Sequence, residues 1–300
     1  MKNFLKNKIK NFIGLTDIKN KNESILKNLG LLHNKLNKDK KFDNIQDYEF
    51  QVFSQFGDDG IIRYLINNIK ITKNKFIEFG VENYEEANTK FLLESFNWEG
   101  LIIDSDNNYV SDIKKKNYYW RYNLNVANEF ISKENINSII NDNNFSGEIG
   151  ILSIDIDGND YWIWEEINTV TPSIVVIEYN ALFGDKLSVT IPYNKNFSRN
   201  NNQNNNQNKN VYYGASLNAL FKLGNKKNYS LICTNSNGNN AYFLRNDLIP
   251  IDHYLIKPRT PQECFNRNSF KEIKDLKNNF IKLSKEEEFE IVNKFDLVRV

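Results

Sequence analysis

Apolar residues recur along this chain in short runs that helical patterns separate. From about Phe50 the runs are "KFIEFG" (75–80), "GLIIDSD" (100–106), "YYWRYNL" (118–124), "GILSIDID" (150–157) and "SIVVIEYN" (173–180). Runs apolar at successive positions suit strands buried on both faces, as parallel strands are. Helical periodicity falls between them, over 85–96 and 133–143. It returns over 214–224, where Gly224 is expected to end the helix. Two more runs, 229–236 and 240–247, flank "NGN" (237–239) and predict a hairpin.

This order predicts an α/β fold of the class I methyltransferase type: a Rossmann-like sheet with a terminal antiparallel hairpin. We expect an N-terminal helical extension over 1–49 and one large domain over 50–300. Within that domain, 194–210 reads as a polar low-complexity loop after the fifth strand. Ligands of open α/β sheets bind at the carboxyl ends of the strands. The loop is therefore either a lid over an acceptor or a tolerated expansion of a surface loop.

The opening "MKNFLKNKIKNFIGL" sets Phe4, Leu5, Ile9, Phe12 and Ile13 on one helical face with lysines around it. Such a helix either makes peripheral contact with a membrane or packs on its own domain. A net charge of +1 and a pI near 7.6 supply no basic field, so nucleic acid is not an expected partner. Two cysteines, Cys233 and Cys264, without metal-site spacing, fit a reducing, cytoplasmic setting. No run is long enough to span a bilayer.

The strand ends carry the chemistry. "FIEFGVENYEEANT" (76–89) ends a strand at Glu78, with Gly80 permitting close backbone approach. It lacks the several glycines of a pyrophosphate cradle, and a cofactor without phosphates needs none. S-adenosylmethionine is such a cofactor, and carboxylates such as Glu78 and Glu82 suit its cationic parts. Asp104 ends the next strand, 26 residues after Glu78, near the spacing at which an acidic residue takes the ribose hydroxyls. Capping the turn "DSDNN" is compatible with that role.

"ILSIDIDGNDYWIW" (151–164) puts Asp155, Asp157 and Asp160 at the end of the central strand. Transfer of a methyl group to a hydroxyl needs a proton acceptor. His33 lies in the leader, and His253 follows the last strand and reads as structural. The choice falls on the carboxylates: Asp157 as base, Glu178 as helper, in a buried acidic pair with raised pKa. Two alternatives stay open: a Mg²⁺ site, and Asp157 with Asp160 merely capping the following helix. An EF-hand is rejected, because Gly158 falls at the fourth loop position. Tyr161, Trp162 and Trp164 read as core; Tyr193, Tyr212 and Tyr213 read as core or as platforms for a sugar ring.

Seven segments together resemble the FkbM-type S-adenosylmethionine-dependent methyltransferases: 54–62, 76–104, 134–137, 147–164, 174–184, 213–220 and 233–247. The resemblance implies O-methyl transfer onto a sugar hydroxyl, of a nucleotide-activated sugar or of a capsule or lipopolysaccharide glycan, in a bacterial setting. It places Glu78, Gly80, Glu82 and Asn88 around the methionine end, Asp104 with Ser105 at the ribose, and Phe130 with Ile131 at the adenine. Asp155 would face the cofactor from the fourth strand. The first motif has fewer glycines than the family's usual form. A catalytically inactive nucleoside-binding or scaffold protein of the same fold is the alternative.

Overall fold

The computed structural model describes residues 14–199, 211–267, 273–274, 280–281 and 284–300. The amphipathic segment 1–13 and residues 200–210 of the polar loop lie outside the described residues. The chain begins with α1 (Leu15–Asn37) and continues through α2 (Asp58–Asn68), β1 (Lys75–Phe79), α3 (Lys90–Phe96), β2 (Glu99–Asp104) and α4 (Asn107–Lys114). Then come α5 (Asn117–Arg121), β3 (Leu124–Asn128), α6 (Ile136–Asp142), β4 (Gly147–Ile154), α7 (Asp160–Glu166) and β5 (Val170–Glu178). After the short β6 (Val189–Thr190) follow α8 (Leu217–Lys226), β7 (Tyr229–Thr234) and β8 (Asn240–Arg245).

The seven-stranded sheet has the order β3-β2-β1-β4-β5-β8-β7. β1 to β5 pair in parallel, and β8 runs antiparallel to both β5 and β7. The chain starts in the middle, winds outward to β3, and crosses back to β4. Such a reversal opens a crevice at the carboxyl ends of β1 and β4. This topology, with the hairpin closing one edge, is the class I methyltransferase fold.

Alternating residues of each strand face opposite layers. Ile77, Leu101, Leu152, Val175 and Phe243 pack on one side with Ile136, Ile140, Trp164 and Leu220 of α6, α7 and α8. Phe76, Ile102, Ile151, Val176 and Tyr242 pack on the other with Ile61, Leu65, Leu92 and Ile113 of α2, α3 and α4. Covering both faces explains why the strands read as continuous apolar runs. α1 docks through Gly30, where a Cβ would meet Val52 at 2.5 Å, and through Lys27 paired with Glu94 at 2.8 Å. Its outer face leaves Ile18, Ile25, Leu29, Leu32 and Leu36 exposed.

Two expectations are corrected. The third strand is Leu124–Asn128; residues 117–121 form α5. Tyr118, Tyr119 and Tyr122 pack on the core from a turn of helix while Trp120 is exposed, so the aromatic run follows helical spacing. Gly224 does not end its helix, which continues to Lys226. It is a glycine because a Cβ there would lie 2.8 Å from Phe243 and 3.2 Å from Trp164. The hairpin formed as expected, and both cysteines are buried free thiols. No helix among the described residues is long and apolar enough to cross a membrane.

Candidate functional site

A cavity of about 810 Å³ opens at the carboxyl ends of the strands. All eleven residues proposed from sequence line it: Glu78, Gly80, Glu82 and Asn88 from the β1 end, Asp104 and Ser105 from β2, Phe130 and Ile131 beyond β3, Asp155 and Asp157 beyond β4, and Glu178 of β5. Its volume is that of a site for a cofactor-sized molecule.

At the β1 and β2 ends the carboxylates are already engaged. Glu78 accepts from Asn88 N at 2.7 Å, from Thr89 N at 3.1 Å and from the Thr89 hydroxyl, and so holds the entry to α3. Burial outweighs these bonds and pushes its pKa up to about 7. Asp104 accepts from Glu82 N and Asp106 N, each at 2.8 Å, which does fix the turn, and still presents an edge to the cavity. Burial, against these bonds, raises its pKa too. Gly80, at φ 68°, is required by a neighbouring strand: a Cβ there would lie 1.7 Å from the Asp155 carbonyl oxygen. The close approach read from its sequence is the joint of β1 with the end of β4. Asn88 donates to the Ser153 hydroxyl at 3.1 Å, locking the same joint. Beyond β3, Ile131 is buried while Phe130 is 46% exposed, free to offer a ring face.

At the β4 and β5 ends the arrangement differs. One carboxylate oxygen each from Asp155, Asp157 and Glu178 lies within 4.8 Å of the others. Burial, reinforced by Asp157 and Asp160, holds the Asp155 pKa well above the usual range. Burial, reinforced by Asp155 and Asp157, does the same for Glu178, whose Oε2 has no hydrogen-bond partner. Asp157 departs from expectation. It is not the buried member: its side chain is 55% exposed and ion-paired with Arg199. Its φ of 55° is one that Asp and Asn tolerate better than most residues. Asp160 is structural but does not cap the helix: it is the first residue of α7, and its carboxylate accepts from Ile156 N and Gly158 N at 2.9 Å each, fixing the loop that leads into the helix.

His253 accepts from Leu255 N and Ile256 N through Nδ1, the structural role expected of it. Trp164 and Tyr213 are buried core residues, and neither Tyr193, Tyr212 nor Tyr213 lines the cavity. Phe197 lines it instead, beside Phe56, Phe79, Tyr109 and Phe130, and a Cβ on Gly158 would strike its ring at 2.3 Å.

Sequence reading missed Arg199, hidden in the low-complexity stretch, and the floor of the cavity. That floor is Gln55 and Phe56 with Asn239 and Asn240 of the hairpin. Beneath it, Asp58 accepts from Asn235 at 3.1 Å, Asn240 at 3.0 Å and the Tyr242 hydroxyl. Asn235 in turn accepts the N–H groups of Gly238, Asn239 and Asn240. The signal was present in "SQFGDDG" and "TNSNGNN": polar residues that no surface turn requires, adjoining buried runs.

No family model matches the chain, and no curated protein matches it in sequence. Among solved structures it is similar to the N-terminal domain of EvdMO1 with SAH bound, at 7% identity and TM-score 0.39 over 64% of this chain and 80% of that one. It is similar to an O-methyltransferase from Bacillus cereus in complex with SAH, at 12% identity and TM-score 0.38 over 60% and 74%. TehB from Haemophilus influenzae gives 12% identity and TM-score 0.36 over 63% and 62%. Such values transfer neither ligand nor reaction. The class rests on the chain's own sheet order.

Proposed function

We propose that this protein is an S-adenosylmethionine-dependent O-methyltransferase of the FkbM type, acting on a sugar hydroxyl of a nucleotide-activated sugar or a glycan. One observation carries the reading: the acidic ends of β1 and β2 open on a single cavity at the switch point of a class I methyltransferase sheet. Free thiols at Cys233 and Cys264 suit a cytoplasmic reaction.

S-adenosylmethionine, when bound, supplies a methyl group on a sulfonium, which the acceptor oxygen takes as the carbon–sulfur bond breaks to leave a neutral thioether. The residues fit such a cofactor. Asp104, with lone pairs left over from its two backbone bonds, receives the ribose hydroxyls beside Ser105. Phe130 and Ile131 would hold the adenine. Glu82, with Asp104 and Glu86 near, offers negative charge to the cationic end, and Glu78 and Gly80 hold the wall in shape. Asp155 faces the reacting centre from β4.

A base must be ionised before it can take a proton. Asp157 is the member of the acidic trio held as an ion pair and open to an acceptor, so it receives the hydroxyl proton. Asp155 and Glu178, crowded together, tend to share protons instead. A Mg²⁺ ion is not favoured, because the Arg199 guanidinium already brings positive charge to the trio.

Calorimetric titration with S-adenosylmethionine and S-adenosylhomocysteine tests the cofactor, and methyl transfer across a sugar panel read by mass spectrometry tests the reaction. Heat from neither compound sinks the whole reading. Heat without transfer to any acceptor leaves a non-catalytic nucleoside binder.

A further inference from the structure

The cavity's charge is lopsided. Among the described residues that line it, ten are carboxylates and one, Arg199, is a cation. Arg199 is committed: it meets Asp157 and lies 3.9 Å from the centre of the Tyr213 ring. Asp155 and Glu178, both lining the cavity, each bring a carboxylate oxygen within 4.8 Å of the other. Glu178 is 7% exposed, and its Oε2 is buried without a partner. An orphaned buried carboxylate costs stability unless something completes it.

We infer that the acceptor carries an amino group beside the hydroxyl it offers, and that Asp155 and Glu178 hold this ammonium, while phosphate-bearing acceptors are turned away. The inference rests on the methyltransferase reading and narrows its acceptor to amino sugars. An ammonium brings one charge and three N–H donors, each able to make a charge-assisted bond to a carboxylate oxygen. A small divalent cation asks for six oxygens in a tight octahedron, and Arg199 already occupies one side of the trio. A diphosphate would bring further negative charge into a wall of like sign.

The test uses the protein saturated with S-adenosylhomocysteine, titrated with four probes: hexosamines, their N-acetyl derivatives, the matching neutral hexoses, and a uridine-diphosphate hexose. We expect at least one hexosamine to bind about 10- to 100-fold more tightly than its N-acetyl and neutral counterparts, the usual return on hydrogen bonds to a charged group. The nucleotide sugar should be weakest. In Glu178→Gln the preference should shrink to about threefold or less, with S-adenosylhomocysteine affinity retained. Equal binding of amino and neutral sugars, or tightest binding of the nucleotide sugar, overturns the inference. So does binding by none of the probes, since the amine then adds nothing. A preference abolished by EDTA and restored by Mg²⁺ overturns it in favour of a metal. Failure of S-adenosylhomocysteine to bind at the outset counts against the methyltransferase reading instead.

Discussion

The two acidic rims of the cavity are built from the same residue types and solved differently. On the β1–β2 rim, Glu78 and Asp104 spend their oxygens on five donors of the chain itself: the N–H groups of Asn88, Thr89, Glu82 and Asp106, and the Thr89 hydroxyl. On the β4–β5 rim, Glu178 keeps an oxygen with no donor, and Asp155 is pressed by other carboxylates. A satisfied carboxylate shapes a wall; an unsatisfied one is a site waiting for charge. On the proposed methyltransferase reading, the difference separates the half of the cavity that positions from the half that reacts.

The largest expected effect falls on the reactive rim. Asp157→Asn keeps the shape, tolerates the left-handed backbone and removes the proton acceptor. Turnover should fall by about 10²–10⁴ while cofactor affinity and melting temperature barely move. Near-normal turnover in this variant would pass the role of base to Glu178. An enzyme silenced by a chelator and revived by Mg²⁺ would make Asp157 a metal ligand instead.

Next in size is a pH effect to which Glu78 of the positioning rim, Asp155 and Glu178 of the other, and buried acids outside both contribute with the same sign. Glu78 is raised from 4.5 to about 7, and the buried Asp59 and Asp160 from 3.8 to about 6. Between each ordinary value and its raised one, the unfolded chain has lost a proton that the native protein keeps. Stability therefore falls as pH rises from about 4 to 7, by up to ~3 kcal/mol for Glu78 alone. Urea melts at pH 5 and pH 8 check the sign. Greater stability at pH 8 would show that the hydrogen bonds to these carboxylates outweigh their burial.

The two rims were unequally legible in the sequence. β1, β2, β4 and β5 announced themselves as apolar runs ending in acids, so Glu78, Asp104, Asp155 and Glu178 could be placed at one edge from pattern alone. What pattern cannot carry is the partner of each acid. Nothing near Glu78 in sequence says that Thr89 will use it, and nothing near Asp157 points 42 residues on to Arg199. Gly80 was read as making room for a ligand, yet the atom that demands a glycine is a carbonyl on β4, a contact that exists only once the sheet is assembled. α5 misled for a related reason: aromatic residues favour strands, and only burial on one side of a turn shows them to be helical.

A smaller effect probes the positioning rim through the cofactor. Asp104→Ala should weaken S-adenosylmethionine binding by about 1.5–3 kcal/mol, the usual range for hydrogen bonds to a charged group. Part of that loss is the released turn at Glu82 and Asp106, so Asp104→Asn, which keeps one acceptor oxygen, should lose less. Equal affinity in all three proteins would show that the ribose is held elsewhere.

The smallest effect is the one that separates the rims by sign. Glu78→Gln puts an amide where Asn88 and Thr89 present three donors, so one donor meets an NH₂ group in a buried site; the fold should lose about 1–3 kcal/mol. Glu178→Gln removes a carboxylate that lacks a donor and sits among like charges, so stability should stay level or rise by about 1 kcal/mol. Paired urea melts near neutral pH measure both. Opposite signs are expected, because a protein gives up stability where a site must stay unfinished for its ligand and not where a carboxylate already has its partners. If Glu178→Gln instead destabilises as much as Glu78→Gln, Glu178 is as fully used within the fold as Glu78, and the β4–β5 rim is a wall like the other.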